Sequence, residues 1–152
     1  WMGLLVFFSF LGLVIYDQVK KRSQAQLDLL KRKQDQASFW GNLQKEAQML
    51  AVSQAPLEKF SPVMEQMIDQ VHHVIDERFK ISSRSLPRRD LAKQLTELTP
   101  DQWKRLSSVL EFAEMIRFVS NSGIVNAEDT RNRATNVIDD AMKICSEISV
   151  KS

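Results

Sequence analysis

The chain has 152 residues, with 21 Lys and Arg against 19 Asp and Glu, one cysteine, four glycines and four prolines. That length allows one domain of ordinary size beside a short membrane segment. A net charge of +2 does not indicate a nucleic-acid partner, and a single cysteine excludes an intrachain disulfide. No stretch alternates apolar and polar residues long enough to predict a sheet, so we expect an all-α protein.

The amino-terminal run, residues 1–16, carries no charged side chain and is dominated by large apolar residues. Burying it in a soluble core would need a helix that is apolar on every side, so lipid is the simpler solvent. Sixteen helical residues reach about 24 Å, whereas the hydrocarbon layer is about 30 Å thick. We therefore predict a transmembrane helix over residues 1–22 whose span begins upstream of Trp1.

Basic residues directly after this run predict its orientation. The positive-inside bias assigns the cluster beginning at Lys20 to the cytoplasm, so the rest of the chain is expected to be cytoplasmic. A cleaved signal peptide is the alternative, but its basic residues precede the apolar region instead of following it. The residues expected at the membrane interface are Trp1, Tyr16, Lys20, Lys21 and Arg22.

Neither Gly nor Pro occurs between Tyr16 and Gly41, which predicts a juxtamembrane helical stalk over residues 23–37. A compact helical bundle is predicted over residues 38–150. Its first segment runs from Ser38 to Ser53 with apolar residues at helical spacing, and Pro56 interrupts it.

The next helix is predicted to open at Ser61 and Pro62, because serine is a good cap and proline suits the first helical position. Its apolar stripe extends to Phe79 and indicates a face turned to the core. A serine-rich loop, Ile81 to Leu86, follows, and Pro87 starts a short helix.

The clearest local signal is the tetrapeptide 99–102, Thr-Pro-Asp-Gln, which matches a capping box. It predicts a helix that continues to about Val119, where Ser, Asn, Ser and Gly at 120–123 stop it. The last helix is predicted to start near Asn126, with acidic residues in its first turn where the helix dipole favours them. Several amphipathic helices with short connections predict a compact bundle.

Few residues suggest chemistry. Asp69, His73 and Glu77 share one helical face, but adjacent histidines point about 100° apart and cannot bind one ion together. A solvated charge ladder is therefore the preferred interpretation for Asp69, His73 and Glu77, with a metal site on this face as the alternative. Cys145 lies on an apolar stripe, which favours a buried thiol over a nucleophile. We predict no catalytic residue, no metal ligand and no cofactor.

Basic residues concentrate around the loop from Ile81 to Leu86. They could receive an acidic partner surface or membrane headgroups, and ordinary surface charge is the alternative. The residues predicted to bind a partner are Arg78, Arg84, Arg88 and Arg89, together with Arg117.

Two stretches, residues 75–95 and 103–119, resemble the cytoplasmic tail of BatD-type proteins, the oxygen-tolerance family. In that tail a helix ends in an acidic-basic-Phe element, matched here by Glu77-Arg78-Phe79. A short helix then begins after Leu-Thr or Leu-Pro, matched by Leu86-Pro87. A third helix closes with a phrase like Glu-Phe-Ala-Arg-Phe, which in this chain is spread over residues 111–118.

The resemblance implies a bacterial inner-membrane protein with a large extracytoplasmic part of β-sandwich repeats, one span and a helical cytoplasmic tail. It further implies partners, namely a MoxR-type AAA+ ATPase and membrane-anchored von Willebrand A domain proteins, and a role in envelope stress tolerance. The Asp-x-Ser-x-Ser motif of the A domains is absent from the sequence, so this chain would be their companion subunit.

These observations favour a non-enzymatic, membrane-anchored scaffold subunit whose helical domain docks other proteins. Its expected partners are membrane lipids and protein subunits, with no nucleic acid and no small-molecule substrate. An accessory subunit of a membrane transport or secretion complex is the alternative. A tethered enzyme is a third possibility, for which the sequence nominates no nucleophile, base or metal group.

Overall fold

The structure, a computed structural model, describes residues 2–119 and 126–150, with side chains for residues 13–118 and 126–150. All regular structure in those two ranges is helical, which confirms the predicted all-α class. Short 3₁₀ turns at Leu57–Phe60 and Ser83–Ser85 precede the second and third helices. The α-helices are α1 (Met2–Val52), α2 (Ser61–Phe79), α3 (Arg88–Gln94), α4 (Pro100–Val119) and α5 (Ala127–Val150).

The chain divides into two units between Phe39 and Trp40. The sequence predicts the end of the stalk at residue 37, close to that division. Two predicted features, the interface residue Trp1 and the helix stop at 120–123, lie outside the described residues.

The first unit is a single helical segment. Every side chain from residue 13 to residue 38 is exposed, including the apolar side chains of Leu13, Ile15 and Val19. Among the described residues, no helix has both the length and the continuous apolar character that crossing a bilayer requires.

The second unit has a core formed by α2, α4 and α5, which pack pairwise against one another. On α5 the apolar residues at helical spacing from Ala134 to Ile148, which form the stripe that carries Cys145, are all buried. The stripe of α2 is buried as predicted, except that Ile68 and Phe79 are only half-buried. The carboxyl-terminal part of α1 adds further apolar residues to the core of this unit, namely Trp40, Leu43 and Ala47.

Polar contacts join α4 to α5 beside this core. Arg105 donates two hydrogen bonds of 2.9 Å to the Glu147 carboxylate, and Gln102 donates a third at 3.0 Å. The pKa of Arg105 is raised above its ordinary value, mainly because the hydrogen bond to Glu147 favours the charged guanidinium.

The capping box at the start of α4 is confirmed. The amide N–H of Gln102 donates to Thr99 Oγ1 at 3.2 Å, and the amide N–H of Thr99 donates to Gln102 Oε1 at 3.0 Å. Asn126 directly precedes α5 and caps it, because its side-chain oxygen accepts a hydrogen bond from the amide N–H of Glu128 at 3.2 Å.

The prediction that Ser61 caps α2 is wrong. The cap position is Phe60, and no side chain there accepts a helical amide. The reason is that the 3₁₀ turn Leu57–Phe60 runs directly into α2, so Ser61 already has helical backbone angles. Proline in the first turn, Pro62, occurs as expected.

Substitution Thr99→Ala should lower the free energy of unfolding of the full chain by about 1 kcal/mol, because α4 loses a cap for its first amides. Thr135→Ala, inside α5 and away from its ends, is the matched control and should change it by less than about 0.5 kcal/mol. Urea unfolding followed by circular dichroism measures both values. Equal effects of the two substitutions would contradict a capping role.

Candidate functional site

A groove between α2 and α4 is lined by three of the residues that the sequence singles out, His72, Arg84 and Arg117. Its volume is about 190 Å³, and Arg84 of the second 3₁₀ turn closes one side. The floor is apolar and the rim is charged, so the groove offers both kinds of contact to a ligand or partner. The lining side chains are Ser61, Met64, Glu65, Ile68 and His72 from α2, and Leu110, Ala113, Glu114 and Arg117 from α4.

The rim cations of the groove are paired with acids. Arg117 of α4 reaches Glu65 of α2 at 3.0 Å, which links the two helices across the groove. Arg84 pairs with Asp69 of α2. Both pairs are more than half exposed, so each contributes at most about 1 kcal/mol to stability and can exchange its partner.

Arg88, at the start of α3, makes the most extensive of these contacts. It binds Glu111 at 2.8 Å and Glu114 at 2.7 Å, and thereby fastens α3 to α4. The Glu114 carboxylate also lines the groove. The rim of the groove therefore consists of arginine and acidic side chains that are paired with one another.

The structure brings together three of the five arginines predicted to bind a partner: Arg84, Arg88 and Arg117. Arg78 points elsewhere, to Glu97 at 3.4 Å and over the Phe79 ring at 5.9 Å. Arg89 is exposed and makes no ion pair with the described residues. The sequence suggested a basic patch, and the folded chain makes it a mixed-charge surface with Arg89 as an unpaired cation.

A small polar cluster, which sequence reasoning missed, holds the loop that carries Arg84. His72 Nδ1 lies 2.7 Å from Ser83 Oγ, and the Ser83 amide donates to Asp76 Oδ1 at 2.7 Å. Ser83 is only 1 % exposed. The loop contains three serines, and nothing in their spacing tells which one is buried.

His72 is consequently shifted toward its neutral form. Burial is the largest cause that lowers its pKa below the ordinary 6.5, and the positive charge of Arg84 lowers it further. The carboxylates of Asp76 and Asp69 oppose this shift without reversing it. A neutral His72 can accept the Ser83 hydroxyl proton in a hydrogen bond.

The remaining residues considered for chemistry fall into separate places. His73 is exposed and lies 3.5 Å from Glu77, while Asp69 binds Arg84. Cys145 is buried, as predicted, and burial raises the pKa of its thiol to about 12. Within residues 2–119 and 126–150, no group of three or more His, Cys, Asp or Glu side chains could hold a metal ion.

The predicted interface residues of the first unit are exposed where the structure describes them. Tyr16 is 67 % exposed, and Lys20 and Arg22 are exposed beside it. Lys21 forms an ion pair of 2.7 Å with Asp17 one turn earlier.

No known family, curated protein or solved structure matches this chain. The resemblance to the BatD-type tail therefore stays a prediction based on residues 75–119. Function has to be inferred from the contacts and exposed surfaces of the chain itself.

The free energy of unfolding should decrease as the pH falls below 6.5, because the unfolded chain protonates His72 before the folded chain does. His72→Gln should remove this part of the pH dependence, and His73→Gln, next to it but exposed, should keep it. Urea unfolding of the three proteins between about pH 5 and pH 8 measures the effect. If the free energy of unfolding changed with pH in the same way in the wild-type chain and in His72→Gln, this role of His72 would be contradicted.

Proposed function

We propose that this chain is a non-enzymatic, membrane-anchored scaffold subunit whose helical bundle docks other proteins. The observation that carries the proposal is the contrast between its two units. The second unit buries its apolar stripes in a core of its own. The first exposes Leu13, Ile15 and Val19 on a helix whose side chains from residue 13 to residue 38 are all exposed, so lipid or another protein has to cover them.

Charge distribution supports lipid as the partner of the amino-terminal run. Residues 1–39 contain six Lys and Arg against three Asp and Glu, whereas residues 40–152 contain 15 against 16. The positive excess therefore directly follows the uncharged residues 1–16, as expected for the cytoplasmic side of a span. Basic residues near anionic headgroups contribute about 1 kcal/mol each. The single span and the cytoplasmic bundle in a bacterial inner membrane remain part of the proposal.

The groove between α2 and α4 is the proposed docking site on the bundle. Its apolar floor can bury a partner side chain, while the exposed pairs Arg117–Glu65 and Arg84–Asp69 can exchange their internal acids for acids of the partner. Arg89 does not line the groove, but it is an exposed cation that makes no ion pair with the described residues, so binding an acidic partner there breaks no internal ion pair. The resemblance to the BatD-type tail suggests a MoxR-type AAA+ ATPase and von Willebrand A domain proteins as the partners.

Membrane topology tests the anchor. Green fluorescent protein fused after Ser152 should fluoresce, alkaline phosphatase at the same site should be inactive, and the fusion should stay in the membrane after alkaline extraction. This result is expected because the basic cluster after residue 16 is retained in the cytoplasm. Phosphatase activity outside the cell, or a freely soluble fusion, would reject the anchored scaffold.

A charge swap tests the docking groove. The double substitution Glu65→Arg with Arg117→Glu keeps an ion pair across the groove but reverses its direction, so the fold should persist. Recovery of co-purified ATPase or A-domain protein should fall about tenfold, because the partner now meets like charges. Arg89→Glu should lower the recovery without breaking an internal pair.

Lys104→Glu is the matched control for the groove substitutions. Lys104 is an exposed lysine of α4 on the side away from the groove, and it makes no ion pair with the described residues. This variant should recover the partner at the wild-type level. Full recovery with the swapped groove would reject docking there, and specific recovery of a translocation component would favour the transport alternative.

A further inference from the structure

The exposed part of α1 carries two basic triplets at a spacing that matches the helix, one just before the stalk and one within it. Lys20, Lys21 and Arg22 recur as Lys31, Arg32 and Lys33 after 11 positions. Eleven residues are close to three helical turns, so the second triplet repeats the directions of the first within about 20° and lies about 16 Å further along the axis. All six side chains are exposed.

Exposed apolar side chains before the first triplet and between the two triplets form one strip of the same helix. Tyr16, Val19, Leu27 and Leu30 follow one another at intervals of three, eight and three residues, which keeps them on one face. Their side chains are 54 to 67 % exposed. The strip is interrupted by Ser23 and Gln26 and is therefore shorter than a full heptad seam, but its two apolar pairs can receive side chains of another amphipathic helix.

The charges beside this strip decide which partner fits. Lys20 and Lys31 lie along one edge, and Arg22 and Lys33 lie along the other. A parallel second copy of the chain would place these cations opposite one another, which is unfavourable. A helix with acidic residues at the same flanking positions would instead form ion pairs along both edges.

The internal acids form no ion pair with the second triplet among the described residues. Asp28 and Asp35 lie about 40 to 60° from Lys31 around the helix, on the side away from the apolar strip. Lys21 pairs with Asp17, but Lys31, Arg32 and Lys33 make no ion pair with the described residues. Headgroups next to the first triplet would be about 16 Å away, roughly twice the Debye length of about 8 Å at physiological salt.

We infer that the stalk face formed by Leu27, Leu30, Lys31 and Lys33, which Val19, Lys20 and Arg22 continue along the helix toward residue 1, binds an acidic amphipathic helix of a partner protein. The partner helix places leucine-like residues on the strip and Asp or Glu beside both edges. This surface is separate from the groove on the bundle, and its existence does not depend on docking there.

The direct test uses the full chain in nanodiscs of zwitterionic phosphatidylcholine. The probe is a fluorescent three-heptad peptide with Leu at positions a and d and Glu at e and g. It should bind, whereas a peptide of the same composition in scrambled order should bind at least about tenfold more weakly. Fluorescence anisotropy gives both dissociation constants.

Two sets of substitutions locate the surface, each with a matched control. Reversing the second triplet to Glu, with Lys31, Arg32 and Lys33 changed together, should weaken binding at least about tenfold, while reversing three exposed lysines of the bundle should not. Leu27→Ala with Leu30→Ala should weaken it to a similar extent, and Leu29→Ala, on another side of the helix, should not. The bundle control replaces Lys45, Lys59 and Lys104 by Glu.

Three results would overturn the inference. The first is binding of the ordered peptide no tighter than that of the scrambled one. The second is protection of Lys31 and Lys33 from amine-reactive labelling in phosphatidylserine nanodiscs without peptide, which would make the lipid surface the occupant. The third is cross-linking of two copies of the chain that is lost in Leu27→Ala with Leu30→Ala, which would make the occupant a second copy.

Discussion

The second unit depends on one interaction, the burial of the apolar stripes of α2, α4 and α5 against one another. A fully buried large apolar side chain such as Met67, Leu106 or Ile138 contributes about 1.5 to 3 kcal/mol. An exposed ion pair contributes at most about 1 kcal/mol. Apolar packing therefore determines how the helices lie, and the charged pairs along the groove occupy positions which that packing has already created.

The groove follows from this arrangement. It forms where α2 and α4 run side by side, and the residues along it are those left at the edge of the two apolar stripes. The contact of His72 and Asp76 with Ser83 holds the loop against α2, and this brings Arg84 to the groove. The proposed docking surface is thus positioned by a buried polar contact, while its own ion pairs stay exposed.

The first unit obeys a different constraint. Its segment of α1 leaves the apolar and basic side chains from residue 13 to residue 38 exposed. We propose two chemically distinct partners for its two parts. Lipid is proposed for the uncharged residues 1–16, and an acidic helix is proposed for the stalk, which combines a narrow apolar strip with positive edges. Separate surfaces would let a scaffold of the proposed kind bind each partner without displacing another.

Sequence alone determined the helices and their buried faces, because helical periodicity and capping depend on residues three or four positions apart. The stripe of α5 and the capping box at Thr99 were predictable for this reason. Ser61 was misassigned because the preceding 3₁₀ turn replaces a side-chain cap, and nothing local signals that turn. Only the tertiary structure decided the partners of the arginines and of His72. His72 contacts Ser83 11 positions away, Arg88 contacts Glu111 23 positions away, and Arg117 contacts Glu65 52 positions away. Contacts over such separations depend on how whole helices pack, which no local pattern specifies.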